Sequence, residues 1–262
     1  MTTAPLAPRP AEPLALASER PGLLDGTRAL FSGLGFIART PAMWPLALVP
    51  VVVAGVVTTL VGGAVIALVT PHVAAAVGPH PVLAVLAKIL AGVLALIVAA
   101  LIGAGVAQPL SGPALNRIVA RVEADMGAPA RPETGFFHDM ARALGSMLVG
   151  YTFGLPLLAV LSVISFLVPP AVVITFPLKL IVLALVFAWD FFDYPLSIHG
   201  MPLGQRIALV VRHARVMIGF GLGLALVSLI PCAAFFVMPI GVAGAARLAR
   251  QIELFEQRAG GA

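Results

Sequence analysis

An uncharged segment near the C-terminus, residues 218–246, is bounded by basic residues on both sides. Arg206, Arg212 and Arg215 precede it, and Arg247 and Arg250 follow it. A membrane helix needs about 20 apolar residues, so the segment is long enough for one crossing and too short for two. One crossing would separate the two arginine groups, although basic residues accumulate on the cytoplasmic side. We therefore predict a re-entrant helical hairpin that turns at Pro231.

The composition of the whole chain points to an integral membrane protein. Hydrophobic residues make up 60% of the 262 positions and charged residues 10%, whereas charged residues are about 25% of a soluble domain. The net charge of +5 comes from basic residues scattered between apolar runs, which argues against nucleic acid as a partner. Membrane topology and lipid headgroups explain these residues better, so we expect membrane lipids as partners.

The N-terminal half contains two predicted transmembrane helices, over about 46–69 and 82–107. The connection between them carries no Lys or Arg, which predicts that it faces outward and that both chain termini are cytoplasmic. Residues 1–27 are rich in Pro and Ala and are predicted to form a disordered cytoplasmic tail. The remaining residues, 28–258, are predicted to form a single domain in the bacterial inner membrane.

Two amphipathic cytoplasmic helices are predicted, over 111–126 and 203–217. In the first, Ser111 is a candidate N-cap and apolar residues recur at helical spacing. The polar stretch after it, 127–142, is predicted to be a cytoplasmic loop. In the second, six apolar residues form one stripe: Leu203, Ile207, Val210, Val211, Ala214 and Ile218.

The apolar region 143–189 carries one charged residue, Lys179, and has Pro169 and Pro170 at its centre. Its length also fits two complete spans. We favour a second re-entrant hairpin because the turn contains no polar residue that would hold it in external water. The fold class is then an all-α integral membrane protein with two transmembrane helices, two re-entrant hairpins and amphipathic cytoplasmic helices.

Several charged residues are candidates for an anion pathway. An ionisable residue inside a membrane region usually faces a protein interior or a watery cavity, which singles out Lys179, although a lysine can also extend to the interface. A second group of candidates is Arg206, Arg212 and Arg215. In one interpretation they line a cytoplasmic vestibule for the anion. In the other they are the basic residues that set the membrane topology and contact lipid headgroups. Asp190 and Asp193 lie among aromatic residues and are interpreted as capping groups of an interfacial anchor.

The sequence gives no indication of catalysis or of a cofactor. The histidines lack metal-ligand spacing, so no metal site is predicted. No nucleophile with a base at recognisable spacing and no phosphate loop is present. We therefore expect that the protein is not an enzyme.

Ordered motifs across most of the chain resemble a known family, the CysZ sulfate permeases and the wider etoposide-induced protein 2.4 family. The C-terminal half carries most of the resemblance, and the N-terminal half agrees more loosely. The matching residues are Asp193-Tyr194-Pro195, Pro202, Gln205-Arg206, Gly219-Phe220-Gly221, Ile230-Pro231 and Met238-Pro239, with Gly35-Phe36, Pro41, Pro50 and Gln108-Pro109-Leu110 upstream.

The resemblance implies two transmembrane helices, two partly penetrating hairpins, a homo-oligomer and transport of sulfate. In the sulfate permeases a basic pair at the start of the first membrane helix suits an anion. Here the matching residues are Ala42, Met43, Trp44 and Pro45, so the pair is missing. Arg39, just upstream, is the residue that could take its place.

Two functional hypotheses follow. The first is a permease or channel-like protein for a small inorganic anion, with sulfate implied by the resemblance. The second is a non-transporting membrane scaffold or interaction protein, as the eukaryotic relatives in the wider family suggest, whose amphipathic helices would be its working surfaces. Sulfate flux distinguishes the two.

Overall fold

The computed structural model describes residues 21–77, 80–128, 136–198 and 200–260. These residues form helices joined by short turns, without a β-strand, so the predicted all-helical class is confirmed for the part of the chain that the structure describes. The helices are α1 (Leu23–Arg39), α2 (Trp44–Val77), α3 (Pro81–Leu110), α4 (Gly112–Asp125), α5 (Phe136–Leu167), α6 (Val172–Ile198), α7 (Leu203–Arg212), α8 (Ala214–Ser228) and α9 (Pro231–Gly260).

Four stretches within the described residues are long and apolar enough to cross a membrane. They are Pro41–Val73, Pro81–Ala107, Leu148–Leu167 and Pro169–Ile198. The first two correspond to the transmembrane helices predicted over 46–69 and 82–107. The other two are the arms of the predicted 143–189 hairpin, and their length fits either complete spans or a re-entrant pair.

The first two membrane helices, α2 and α3, pack along each other and extend further than predicted. The first helix was predicted to end at about residue 69, yet α2 continues through Pro71 to Val77. A proline in a helix interior removes one backbone hydrogen bond, but α2 is not ended by Pro71. The connection is therefore shorter than the sequence suggested.

The amphipathic helix predicted over 111–126 is present as α4. Its apolar face is buried, including Leu115, Ile118 and Val122. Ser111 occupies the N-cap position, but its hydroxyl makes no capping hydrogen bond. The predicted Ser111 cap is therefore absent, and α4 is held by its buried face.

The helices α5 and α6 form a hairpin that turns through the 3-10 helix Pro169–Ala171. The hairpin extends beyond the predicted bounds, 143 and 189, at both ends. The start of α5 at Phe136 shows that the loop predicted over 127–142 is wrong in its last part, while residues 129–135 lie outside the described residues. At the other end, α6 continues to Ile198.

Aromatic residues near the end of α6 lie in the protein core. Trp189, Phe191, Phe192 and Tyr194 are all buried, with Phe192 fully inaccessible. The interfacial anchor predicted here is therefore wrong. Aromatic side chains suit both a membrane interface and a packed core, and the packing of α8 and α9 against α6 covers them.

The amphipathic helix predicted over 203–217 is not continuous. It breaks at His213, where α7 and α8 meet at a bend of 89°. The predicted apolar stripe is divided as well, because Val210 is buried whereas Leu203, Ile207 and Val211 are exposed. The bend separates a short surface helix, α7, from the apolar helix α8.

The segment 218–246, predicted to be a re-entrant hairpin, lies within two helices, α8 and α9, joined by a tight turn. The chain turns at Leu229 and Ile230, and Pro231 is the first residue of α9. The first arm, α8, has 15 residues, which corresponds to about 22 Å. It is shorter than the hydrocarbon core of a bilayer, which is about 30 Å thick.

Glycines allow α8 to lie between α1 and α6 at backbone contact. A Cβ atom at Gly221 would overlap the carbonyl oxygen of Ala184 in α6, and one at Gly219 would overlap the carbonyl oxygen of Leu23 in α1. The hydroxyl of Thr27 donates a hydrogen bond to the Gly219 carbonyl at 3.1 Å. These contacts fix α8 between its two neighbours.

The helix α1 packs against α9 as well as against α8. A Cβ atom at Gly33 would meet the backbone nitrogen of Gly244 at 2.5 Å, so the two helices touch at this point. Because α1 begins at Leu23, the tail predicted over 1–27 is wrong in its last residues, and residues 1–20 lie outside the described part. The helix α1 thus crosses both arms of the α8–α9 hairpin.

Replacing Gly221 with alanine should destabilise the protein. The new methyl group would overlap the Ala184 carbonyl, and overpacking of this kind costs about 1–3 kcal/mol. The matched control is Gly35→Ala in α1, where an added Cβ meets nothing within 4 Å and helix propensity should gain about 0.5–1 kcal/mol. Unfolding of both variants in detergent measures the difference, and equal stability would contradict the close packing.

Candidate functional site: charged groups in and around the membrane helices

Lys179 in α6 is hydrogen-bonded across the α5–α6 hairpin. Its ammonium donates to the hydroxyl of Ser165 at 2.9 Å, and the hydroxyls of Ser165 and Thr175 are 2.6 Å apart. Thr175 is buried, whereas Leu178 and Leu180 on either side of the lysine are exposed. We call these three polar residues, Lys179, Ser165 and Thr175, the hairpin cluster.

The hydroxyl groups of the hairpin cluster are anchored to their own helices. Ser165 is 2.8 Å from the carbonyl oxygen of Leu161, and Thr175 is 3.0 Å from that of Ala171. Among the described residues no carboxylate forms an ion pair with Lys179. An ammonium has three N–H donors, so the Ser165 contact leaves donors for a bound anion.

The sequence identified Lys179 but missed Ser165 and Thr175. The two hydroxyl residues lie five positions before and five positions after Pro170. In a helical hairpin that turns at this proline, equal spacing brings the two positions to the same height. This symmetry about the turn was the available signal.

Arg206 at the start of α7 contacts an internal carboxylate. Its guanidinium is 2.5 Å from Asp193 of α6, whose side chain is fully inaccessible, while that of Arg206 is 14% exposed. Asp193 was interpreted as a capping group at the end of a membrane segment, but α6 continues beyond it to Ile198. The contact with Asp193 therefore ties α7 to α6.

Arg212 and Arg215 lie on either side of the bend between α7 and α8. Arg212 donates to Glu256 of α9 at 3.1 Å, and His213 approaches the same carboxylate at 3.2 Å. Arg215 is exposed and has no ion-pair partner among the described residues. Both arginines are exposed, and of the two only Arg212 has a carboxylate partner among the described residues.

Arg39, the last residue of α1, lies near Arg247 of α9. Arg247 is 3.2 Å from Asp125, and its guanidinium lies over the Phe36 ring at 5.1 Å. Burial lowers the pKa of Arg247 from its ordinary value, Asp125 opposes the shift, and the charge of Arg39 adds to it. The guanidinium groups of Arg39 and Arg247 therefore lie near each other at the end of α1.

The position of the missing basic pair is occupied by apolar side chains. Met43 ends the 3-10 helix Pro41–Met43 and is buried, and Trp44 begins α2 and donates its indole N–H to the Ile37 carbonyl at 3.0 Å. Arg39 lies at the end of the preceding helix, separated from α2 by this short turn. The site implied by the resemblance keeps one nearby arginine and lacks the pair itself.

A protein-family model described as sulfate transporter CysZ/etoposide-induced protein 2.4 matches residues 29–239 of the chain. The chain belongs to this family. The match includes every helix from α2 to α8 and most of α1, so the family resemblance inferred from the motifs is confirmed. No curated protein matches the chain.

Membership in the CysZ/etoposide-induced protein 2.4 family agrees with the four apolar stretches and identifies a membrane protein. At the level of the family it suggests a function like that of a membrane sulfate transporter, and this is not a family of enzymes. Within the residues that the structure describes, no group of three or more His, Cys, Asp or Glu side chains is placed to hold a metal ion.

Replacing Arg206 with methionine should destabilise this family member strongly. Asp193 would keep a buried charge without its guanidinium partner, and breaking a buried ion pair costs about 3–5 kcal/mol. Arg28→Met is the matched control, because the Arg28–Asp25 pair is exposed at its arginine, with 69% of the Arg28 side chain accessible. Such a surface pair contributes about 0–1 kcal/mol.

Unfolding in detergent measures both losses. The double variant Asp193→Asn with Arg206→Met should recover part of the stability, since it removes the buried charge together with its partner. If Arg206→Met and Arg28→Met destabilise the protein equally, the Asp193 contact does not hold α7 to α6.

Proposed function

We propose that the protein is a permease or channel-like protein for a small inorganic anion, with sulfate as the first candidate. The observation that carries the proposal is the hairpin cluster, in which the ammonium of Lys179 on α6 donates a hydrogen bond to Ser165 on α5, and Ser165 is hydrogen-bonded to Thr175. Charged residues in membrane segments are expensive and usually mark ion or substrate pathways. The family description supports sulfate as the anion.

The chemistry of the hairpin cluster suits an anion. Lys179 supplies a positive charge, and the contact with Ser165 holds the ammonium against α5. A charge-assisted hydrogen bond is roughly twice as strong as a neutral one, so an anion that replaces water at this ammonium gains more than a neutral solute. The cluster therefore favours a small anion over an uncharged solute.

The depth of the cluster in the bilayer depends on how far the α5–α6 hairpin penetrates. Lys179 lies ten residues after Pro169, which corresponds to about 15 Å of helix. That is half of a hydrocarbon core of about 30 Å. If α5 and α6 span the bilayer, the ammonium lies near its centre, and if they re-enter it, the ammonium lies closer to the cytoplasmic surface.

The membrane arrangement is part of the proposal. We place both termini in the cytoplasm and the protein in the bacterial inner membrane, with α2 and α3 as complete spans and the two hairpins re-entrant. The length of α8 supports partial penetration of the α8–α9 hairpin. A homo-oligomer follows from the family resemblance. Arg39, Arg206, Arg212 and Arg215 remain candidates for the cytoplasmic end of the pathway, and Asp193 already occupies Arg206.

Purified protein in liposomes should conduct radiolabelled sulfate faster than empty liposomes do. Lys179→Met should reduce the flux by about tenfold to a hundredfold, because hydrogen bonds to charged groups contribute about 1.5–3 kcal/mol. Ser165→Ala should reduce it less, since the charge remains. Lys88→Met is the matched control, because it removes an exposed lysine from α3 and should leave flux unchanged.

The proposal is contradicted if liposomes that contain the protein take up sulfate no faster than empty liposomes. The protein in this test must be correctly inserted and must elute as one species in detergent. That result would favour the scaffold function. Measurable flux that Lys179→Met and Lys88→Met leave equally intact would keep the permease and remove the hairpin cluster from its pathway.

A further inference from the structure

We propose that α7 is a membrane-surface helix that binds the anionic lipids of the leaflet from which the α8–α9 hairpin starts. The proposal concerns a surface separate from the hairpin cluster and does not depend on transport. It rests on the angle between α7 and α8, on the exposed face of α7, and on the arginines beside that face.

The bend at His213 sets the direction of α7. The helix α8 packs against α6 at the Gly221–Ala184 contact, and α6 lies within an apolar stretch long enough to cross a membrane. In the membrane arrangement proposed above, on which this inference rests, α8 enters the bilayer, and α7, turned by 89° from α8, runs across that direction. A helix in this orientation lies along the membrane surface.

The outward face of α7 is apolar and unpartnered. Leu203, Ile207 and Val211 recur every four residues and are 40%, 37% and 68% exposed. The adjacent face contacts the protein through the buried Val210 and through Arg206, which reaches Asp193. Helices with one apolar face and basic flanks lie in the interface with the apolar face about 5–10 Å deep.

The charges around this face favour an anionic partner. Arg212 has 68% of its side chain exposed, and Arg215, one turn further along the chain, is also exposed. Glu256 from α9 faces Arg212 and His213, but the sequence contains no acidic residue between Asp193 and Glu253. The chain around the bend therefore supplies basic side chains and no acidic ones of its own, and phosphate-bearing anionic headgroups complement them.

A lipid surface explains this combination better than a second copy of the chain does. Two copies that met through α7 would bring Arg212 and Arg215 of one copy close to those of the other, and like charges in an interface are unfavourable. An anionic leaflet can contact both groups, because its acyl chains bury the apolar row and its headgroups bind the arginines. The arginine side chains are long enough to reach headgroups while the row lies deeper.

A depth measurement on the full-length protein tests the placement. In a Cys232→Ser background, a single cysteine is introduced by Val211→Cys or Ile207→Cys and labelled with an environment-sensitive fluorophore. The labelled protein is placed in nanodiscs that contain phosphatidylglycerol. Nitroxide on the upper part of the lipid acyl chains should quench both labels strongly, whereas a water-soluble quencher should quench them weakly. Quenching from water alone at both positions would overturn the proposal.

A second measurement tests the charge. Native mass spectrometry of the detergent-solubilised protein measures its preference for phosphatidylglycerol over phosphatidylcholine. This preference should fall in the double variant Arg212→Gln with Arg215→Gln. Each arginine near an anionic surface contributes about fivefold, so the double variant should lose about 25-fold. The matched control, Arg121→Gln with Arg258→Gln, removes the same charge from other exposed positions and should retain the preference.

Two further outcomes would overturn the proposal. The first is equal loss of lipid preference in the two double variants, which would show an effect of total charge only. The second is efficient disulfide formation between Val211→Cys residues of neighbouring molecules in nanodiscs that hold more than one copy. That result would assign the face of α7 to contact between copies of the chain.

Discussion

Backbone contact at the glycines of α8 is the constraint on which the rest of the fold depends. A Cβ atom at Gly219 or Gly221 would overlap a carbonyl oxygen of α1 or of α6, so neither neighbour could approach as closely with any other residue there. In a membrane, where lipid tails are as apolar as leucine, close approach through small residues is a main source of helix association. These contacts hold a short helix, α8, between two longer neighbours and bring α1 across the hairpin.

The position of α8 also determines where the charges lie. Its N-terminal end is the bend at His213, next to Arg212, Arg215 and the carboxylate of Glu256. The preceding helix, α7, is held to α6 by the Arg206–Asp193 pair. Lys179 lies farther along α6 toward the turn and contacts Ser165. The basic residues thus separate into those that join helices and those that are available for an anion or a lipid.

The long apolar helices and both hairpin turns could be predicted from the sequence. Runs of apolar residues indicate membrane helices by length alone, and Pro169-Pro170 and Pro231 mark positions where a helix readily begins or ends. The family could also be recognised, because its motifs occur in order along the chain. Lys179 was identified because a charge in an apolar segment is rare.

Features that depend on tertiary packing could not be predicted. The apolar periodicity of residues 203–217 is continuous, and nothing in it indicates that α8 turns away at His213 to pack against α6. The aromatic residues around Asp193 suit a membrane interface as well as a core, and only the covering helices distinguish the two. The pairing of Asp193 with Arg206 joins the end of one helix to the start of another, a contact that spacing does not specify.

Site-specific labelling of the α8–α9 hairpin tests whether these two helices, held by α1 and α6, enter the bilayer only partway. In a Cys232→Ser background, cysteines at the exposed positions Arg215 and Gln257 should both react with an impermeant reagent from the cytoplasmic side alone. A cysteine at Leu229, in the turn, should react from neither side. Reaction of Leu229→Cys, or of either end, from the external side would contradict the re-entrant hairpin.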